Sequence, residues 1–255
     1  VRNASPALFF NYLLKPDGTL SLHGFVKRHF RAPTFNERYY TDLGNALLRP
    51  EKAFQIALGA QWQHAFCHRL WQRLQLSAEV YYNKVHDKII AYPKGQQFRW
   101  TMLNLGRVAV RGLDVNAALE ARPKRALQVA LQVRYSYLWA HDLTDPADAY
   151  YNQQIPYAPH HSGAAVVSAS FKRWACYYSF IYVGRRYAQP ENVRRNRLQP
   201  WYTHDLCLLR HFRLSRRLEG KLTLAVNNIF NQQYEVIANY PMPGRTLNAA
   251  LDINF

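Results

Sequence analysis

The chain has 255 residues, of which 49% are hydrophobic and 15% aromatic, and its formal net charge is +17. This length suits one large β domain or two ordinary ones, and no run of about 18 apolar residues is present that would form a transmembrane helix. The charge would suit a nucleic-acid partner, but the basic residues gather at the breaks between patterned segments, where anionic lipid headgroups explain them at least as well. The sequence starts at Val1 rather than Met, already inside patterned sequence, so we expect the natural N-terminus to lie upstream.

Period-two alternation of apolar and polar residues predicts an all-β fold. In the stretch 127–139 the odd positions are all apolar or aromatic, from Leu127 to Trp139, while the even positions begin with Gln128. The same pattern recurs along the chain and predicts eleven strands, near residues 6–14, 20–31, 53–66, 74–86, 102–121, 126–139, 160–171, 174–187, 201–213, 218–230 and 245–255.

These strands are long, and the connections between them fall into two alternating classes. A strand of about thirteen residues extends about 43 Å and, at a tilt of about 45°, rises about 30 Å, the thickness of a bilayer core. Five short connections (16–19, 67–73, 122–125, 172–173, 215–217) alternate with five long ones (33–52, 87–101, 140–159, 188–200, 231–244). Short periplasmic turns opposite long extracellular loops are typical of an outer-membrane barrel, whose apolar face meets lipid and whose polar face lines the lumen.

Aromatic residues support this interpretation. Trp100, Trp139, Trp174 and Trp201 lie near predicted strand ends, as in an interfacial girdle. The last predicted strand alternates from Leu247 and stops on Phe255, which resembles the C-terminal assembly signal of outer-membrane proteins. We therefore predict that the face of Leu127 meets lipid in the outer membrane of a Gram-negative bacterium.

The cysteines Cys67, Cys176 and Cys207 form no CxxC pair, and their odd number leaves at least one free thiol. Cys176 shares a strand face with Tyr178, whereas Cys207 shares one with Asp205. Because these faces point to opposite sides of the wall, we expect no bridge between the two.

Three stretches carry a family resemblance. They are 30–45 (FRAPTFNERYYTDLGN) with 47–59, 104–115 (NLGRVAVRGLDV), and 226–236 (VNNIFNQQYEV) with 243–255. As a set they resemble the barrel of TonB-dependent outer-membrane receptors and cover essentially the whole chain. These receptors are 22-stranded barrels, so the resemblance implies that residues 1–255 are the C-terminal half of one, without the plug domain and the first half of the barrel.

The resemblance also implies a function, namely energised import of a scarce nutrient that is captured by the extracellular loops. No catalytic residues and no cofactor are expected. The expected partners are the ligand, TonB through the missing N-terminal part, outer-membrane lipid and lipopolysaccharide, the barrel assembly machinery and a surface lipoprotein, with no nucleic acid.

The stretches 34–45, 104–115 and 154–163 (QIPYAPHHSG) together most resemble the cobalamin-type receptors of Bacteroides-like bacteria. The resemblance therefore implies cobalamin as the ligand. Ferric siderophore receptors share the same general motifs. A haem receptor would resemble FRAP followed by NPNL with a histidine between them, whereas this chain has NALL at 45–48 and no such histidine.

Ligand contacts are expected in the extracellular loops. The candidates are Tyr39, Tyr40, Asp42, Asn45, Tyr151, Asn152, Gln153, Asn192, Arg194, Arg195 and Tyr240. Asp142, Asp145 and Asp148 offer a weaker hypothesis of a Ca²⁺ site, although their spacing is not that of an EF-hand.

Two other classes of protein fit less well. A barrel hydrolase would need a serine and histidine pair, but no GxSxG occurs and His204 and Asp205 alternate across the wall. A basic soluble β domain that binds nucleic acid is the other alternative, and solubility without detergent would favour it.

Overall fold

The computed structural model describes residues 4–93, 100–213 and 219–254. Eleven antiparallel strands form one sheet, and each is hydrogen-bonded to the next along the chain. They are β1 (Ala7–Leu13), β2 (Leu20–Arg31), β3 (Glu51–Ala65), β4 (Trp71–Pro93), β5 (Trp100–Lys124), β6 (Leu127–Asp142), β7 (His161–Phe171), β8 (Trp174–Val183), β11 (Trp201–Arg213), β12 (Glu219–Asn227) and β15 (Thr246–Asn254).

The long connections contain small elements of their own. A five-residue helix, α1 (Phe35–Tyr39), lies between β2 and β3. Two small ladders stand outside the main sheet, β9 (Arg186–Tyr187) with β10 (Arg197–Leu198) and β13 (Glu235–Ile237) with β14 (Tyr240–Pro241). No helix among the described residues is long and apolar enough to cross a membrane.

All eleven predicted strands are confirmed, but the predicted loop at 87–101 is wrong. The strands β4 and β5 continue through it as a projecting hairpin, paired up to Pro93 and Trp100. Asp87 has a positive φ of 54° and interrupts the alternation, while pairing continues on either side of it. Because of this local backbone irregularity, the sequence pattern does not indicate the outer part of the hairpin.

The register confirms that the two faces of the sheet differ. Cross-strand partners share a face, and one apolar row runs through six strands: Leu131, Val167, Tyr178, Leu206, Val226 and Leu247. The neighbouring row on the other face includes Gln132, Ser179 and Asp205. Cys176 pairs with Leu208 and Cys207 with Tyr177, and both thiols are free, as predicted.

Glycines inside the strands are covered by rings from the neighbouring strand. Gly112 pairs with Tyr81, Gly24 with Phe10 and Gly220 with Phe212. A Cβ built on Gly112 would lie 2.2 Å from Cζ of Tyr81, so the ring occupies the space a side chain would need. Such pairs protect glycine backbone in a sheet and fix its register.

Candidate functional site

All long connections emerge at one end of the sheet, which we call the mouth. Four of them are described: loop A (residues 32–50), loop B (143–160), loop C (184–200) and loop D (228–245). The β4–β5 hairpin projects among them, with its tip at 94–99 outside the described residues. The predicted sorting of long and short connections to opposite ends is confirmed wherever the connections are described.

Loop A is anchored by one arginine at the end of β2. Arg31 donates from Nη1 to Glu37 at 2.9 Å and from Nε to Glu51 at 2.9 Å. Glu37 also closes a capping box with Thr34 at the start of α1, by accepting from the Thr34 N–H at 2.7 Å. Burial alone would raise the pKa of Glu37, but the Thr34 and Arg31 hydrogen bonds outweigh it and lower that pKa.

Two asparagines join loop A to the β4–β5 hairpin. Asn45 donates to the carbonyl of Met102 at 3.0 Å. Asn104 donates to the carbonyl of Asp87 at 2.7 Å and accepts from the Arg49 N–H at 2.9 Å. Arg31 belongs to the FRAP motif and Asn104 to the NLG motif, so both motifs supply side chains that hold the elements of the mouth together.

Loops B and C are locked by a reciprocal amide pair. Asn192 accepts from the Gln154 N–H at 2.9 Å and donates to the Gln154 carbonyl at 2.9 Å. The Gln154 side chain is buried, accepting from the Ala140 N–H at 2.9 Å and donating to the Ala158 carbonyl at 3.1 Å. Asn192 Nδ2 also donates to the Pro190 carbonyl at 2.9 Å, so both of its amide hydrogens are engaged within the loops.

Loops C and D are joined through Arg186, which is only 3% exposed. Its guanidinium donates to the carbonyls of Gln199, Glu235 and Val236. Burial lowers the pKa of Arg186 and raises the pKa of the nearby Tyr157 hydroxyl, since the charged form of each loses hydration. Arg186 thus places a desolvated positive charge behind the space between the two loops.

That space is a cavity of about 390 Å³ between loops C and D. Trp201 and Tyr234 form part of its wall, with ring centroids 4.6 Å apart and planes inclined by 30°. Arg197 Nε and Trp201 Nε1 are buried donors to which no described residue offers an acceptor. The remaining lining is Leu198, Gln199, Pro200, Gln233, Glu235 and Pro241. Aromatic surface beside polar side chains suits a ligand that has a flat apolar part and polar groups at its edge.

A second cavity, of about 230 Å³, lies beneath loop B. It is lined by the β4–β5 hairpin, including Leu103 and Asn104, and by Asp148, Tyr150 and Gln153 of loop B. Its polar groups are largely engaged: the Asn104 amide donates to Asp87 and Arg49, and Asp148 accepts from the Tyr150 N–H at 3.1 Å. We therefore place the candidate site in the cavity between loops C and D.

The predicted site residues divide into two groups. One group is exposed, and its side chains form no hydrogen bond or ion pair among the described residues: Tyr39, Tyr40, Asp42, Tyr151, Arg194, Arg195 and Tyr240. Engaged within the loops are Asn45, Asn192 and Asn152, the last through its Oδ1 with His141 at 2.9 Å. Gln153 lines the cavity beneath loop B, and Phe255 lies outside the described residues.

The structure does not gather Asp142, Asp145 and Asp148 into a metal-binding group. Each carboxylate accepts from a backbone N–H two residues further along, of Thr144, Ala147 and Tyr150 respectively. No group of three or more His, Cys, Asp or Glu side chains suited to a metal ion occurs in the described ranges.

Trp201 and Tyr234 were not among the predicted contacts. Trp201 was interpreted as part of a lipid-facing girdle, but it lies on the same face as Asp205 and packs against Tyr234. The sequence did contain a sign of this, because Trp201 and Asp205 are four residues apart in one strand and therefore share a face. Trp139 and Trp174 do lie on the apolar face, and Trp100 packs against Tyr157 at the mouth.

The comparisons with known proteins identify the family. The β-barrel domain described as "TonB dependent receptor-like, beta-barrel" matches residues 1–229. The chain therefore belongs to the TonB-dependent receptors, which are outer-membrane β-barrels for transport and not enzymes. This identification and the apolar row place the face of Leu127 in contact with lipid and the face of Gln128 towards the lumen, as predicted.

Individual relatives are more distant. Over 91 residues, 36% of this chain and 14% of the relative, the chain is 30% identical to the "Vitamin B12 transporter BtuB" of Vibrio vulnificus. Over 233 residues, 89% of this chain and 34% of the relative, it is 23% identical to the protein of the same name from Photobacterium profundum. The chain thus spans about a third or less of the length of these relatives.

Solved structures confirm the fold. The ferric citrate transporter FecA matches with a TM-score of 0.72 and 17% identity over 98% of this chain and 38% of that one. The copper transporter OprC matches with a TM-score of 0.69 and 17% identity over 98% of this chain and 39% of that one. Eleven strands and these matches fit the C-terminal half of a receptor barrel.

Proposed function

We propose that this chain is the C-terminal half of the barrel of a receptor that imports vitamin B12 across the outer membrane, with energy transmitted by TonB. Support for the ligand comes from the two relatives named as vitamin B12 transporters and from the motifs at 34–45 and 104–115. In the complete receptor, β1 and β15 pair with strands of the other half, which covers the apolar side chains of both edges, such as Leu8 and Leu247.

The observation that carries the proposed site is the cavity between loops C and D. Cobalamin presents a flat, largely apolar ring system bordered by amide groups. The Trp201 and Tyr234 rings supply apolar surface, while Arg197, Gln199 and Gln233 are polar residues of the same lining that can bond to amide groups.

A ferric siderophore is the second candidate, and the charge of the mouth favours it. Loops C and D hold six arginines (Arg185, Arg186, Arg194, Arg195, Arg197 and Arg245) against two glutamates, Glu191 and Glu235. Arg194 and Arg195 are exposed in a short 3₁₀ turn. Such a basic rim attracts anionic chelates and raises their rate of association.

The ligand is tested by equilibrium binding to the intact parent receptor in detergent. Cyanocobalamin is titrated alone, and then in competition with a ferric siderophore and with haemin. Saturable nanomolar binding of cyanocobalamin, resistant to both competitors, is the expected result. Binding of a competitor in its place would discard the vitamin and retain the receptor class.

The site is tested with Trp201→Ala and Arg197→Gln in the same receptor. The first removes the ring surface and the second a cationic side chain of the cavity lining, so we expect Kd to rise about 10-fold or more. Arg125→Gln is the matched control, since it removes an exposed charge at the opposite end of the sheet. Unchanged affinity in both site variants would exclude this cavity as the binding site.

A further inference from the structure

The end of the sheet opposite the mouth carries a second arrangement of cations and rings. Phe171 and Trp174 face each other across the two-residue turn that joins β7 to β8. Both lie on the apolar face, and they are 43% and 42% exposed. Large rings exposed at this height mark the boundary between acyl chains and headgroups.

Each of the two rings carries a cation. The guanidinium carbon of Arg210 lies 4.8 Å from the Trp174 ring centroid, and Nζ of Lys172 lies 5.3 Å from the Phe171 ring centroid. Arg173 is exposed between them, and its carbonyl accepts from the His211 N–H at 2.8 Å, which holds the turn against β11. Three positive charges therefore surround one pair of rings.

These cations are free to bind an anion. Lys172, Arg173 and Arg210 form no ion pair with any carboxylate of residues 4–93, 100–213 and 219–254. The carboxylates at this end have partners of their own: Glu120 pairs with Arg73, Glu219 with Arg213 and Asp252 with Lys221. The three cations therefore have no ion-pair partner among the described residues, although the exposed Glu219 carboxylate also interacts electrostatically with Arg173.

Apolar surface continues directly above the rings, towards the membrane interior. The next row on the same face contains Ala169 and Cys176 between the larger Val129 and Leu208. This row of apolar side chains, two of them small, offers a surface against which an acyl chain can pack. The short-turn end faces the periplasm in this class of barrel, so this surface meets the inner leaflet of the outer membrane, where lipids are phospholipids.

We propose that Lys172, Arg173 and Arg210, with Phe171 and Trp174, form a binding site for one anionic phospholipid of the phosphatidylglycerol type. The cations bind the phosphate, the rings lie at the level of the glycerol backbone, and an acyl chain follows Ala169 and Cys176. A zwitterionic lipid binds more weakly, since its amine opposes the same three charges. The site is independent of the nutrient that the receptor imports.

The test is native mass spectrometry of the intact receptor, from micelles doped with equal amounts of phosphatidylglycerol and phosphatidylethanolamine. The wild type is expected to retain phosphatidylglycerol in preference. Each cation near a membrane surface contributes about fivefold in affinity, so the triple variant K172Q/R173Q/R210Q should lose most of that preference.

The matched control is K15Q/R69Q/R122Q, which removes three exposed cations of the same end but of other turns. Circular dichroism and ligand binding report whether both variants fold. Equal loss of lipid in both triples would show diffuse rim charge and overturn the local site, as would an unchanged preference in K172Q/R173Q/R210Q. Preferential retention of lipopolysaccharide, or equally tight binding of water-soluble glycerol phosphate, would also overturn the proposal.

Discussion

Substitution of Gly112 by alanine tests whether rings covering glycines hold the barrel wall together. The three atoms closest to a Cβ at this position all belong to Tyr81, at 2.2, 2.2 and 2.7 Å. Ordinary contact begins near 3.4 Å, so the ring must move by more than 1 Å. Overpacking of this kind costs about 1–3 kcal/mol, and we expect the apparent Tm of the receptor to fall by a few degrees.

The assay is thermal unfolding in detergent, followed by the β-sheet signal in circular dichroism, for G112A, Y81A and the double variant. If the clash with Tyr81 is the cause, the cost of G112A falls below about 0.5 kcal/mol in the Y81A background, because the pair is coupled. Gly24 provides the contrast, since its Cβ would meet Phe10 at 2.6 Å and also the Ala57 carbonyl oxygen at 2.7 Å. Removing Phe10 should therefore not rescue G24A. An equal cost of G112A with and without Tyr81 would refute the reasoning.

Three further predictions concern the mouth and the closing hairpin. Arg31→Gln breaks the link between Glu37 of loop A and the strand ends at Arg31 and Glu51, so hydrogen exchange in residues 32–50 should rise. Arg28→Gln, which changes an exposed residue of the same strand, should leave it unchanged. The pKa of Glu37 is lowered in the folded chain, so its contribution to the stability of loop A is present above its ordinary pKa of 4.5 and is lost as pH falls through the lower value. Hydrogen exchange of loop A, measured from pH 6 to 3 and corrected for the intrinsic rate, should therefore rise only at the acid end. A rise already complete at pH 5 would contradict this. Asn228 is 4% exposed; its Oδ1 accepts from the Gln232 N–H at 2.9 Å and its Nδ2 donates to the Gln232 carbonyl. Asn228→Ala should therefore lower the Tm and loosen loop D. An unchanged Tm would exclude this role.

The outcome for loop residues shows where prediction from sequence fails. Asn192 and Arg194 are two residues apart, both polar and both in a long loop, and both were predicted to contact the ligand. Asn192 bonds to the backbone of Gln154, 38 residues away in the chain, whereas Arg194 is exposed. Composition and loop position are the same for both, so only the packing of one loop on another separates an anchor from a free side chain.

The wall of the barrel behaves in the opposite way. His204 and Asp205 are adjacent in β11, and alternation alone predicted that they point to opposite sides. His204 contacts the Tyr178 hydroxyl on the apolar face at 2.5 Å, while Asp205 accepts from Ser179 and from the Asn228 N–H on the other face. Facing within a strand follows from backbone geometry, so one sequence is enough to predict it.

The sequence by itself therefore determined the strand count, the alternation of the two faces of the wall, the sorting of long and short connections and the family, because each depends on local periodicity or on motifs. Only the tertiary structure decided that β4 and β5 continue past Asp87, that Trp201 lies against Tyr234, and that Arg210 lies over Trp174. The physical reason is that these features depend on contacts between segments distant in the chain. Hydrogen bonds and ring contacts of that kind follow the register of neighbouring strands, which no local pattern records.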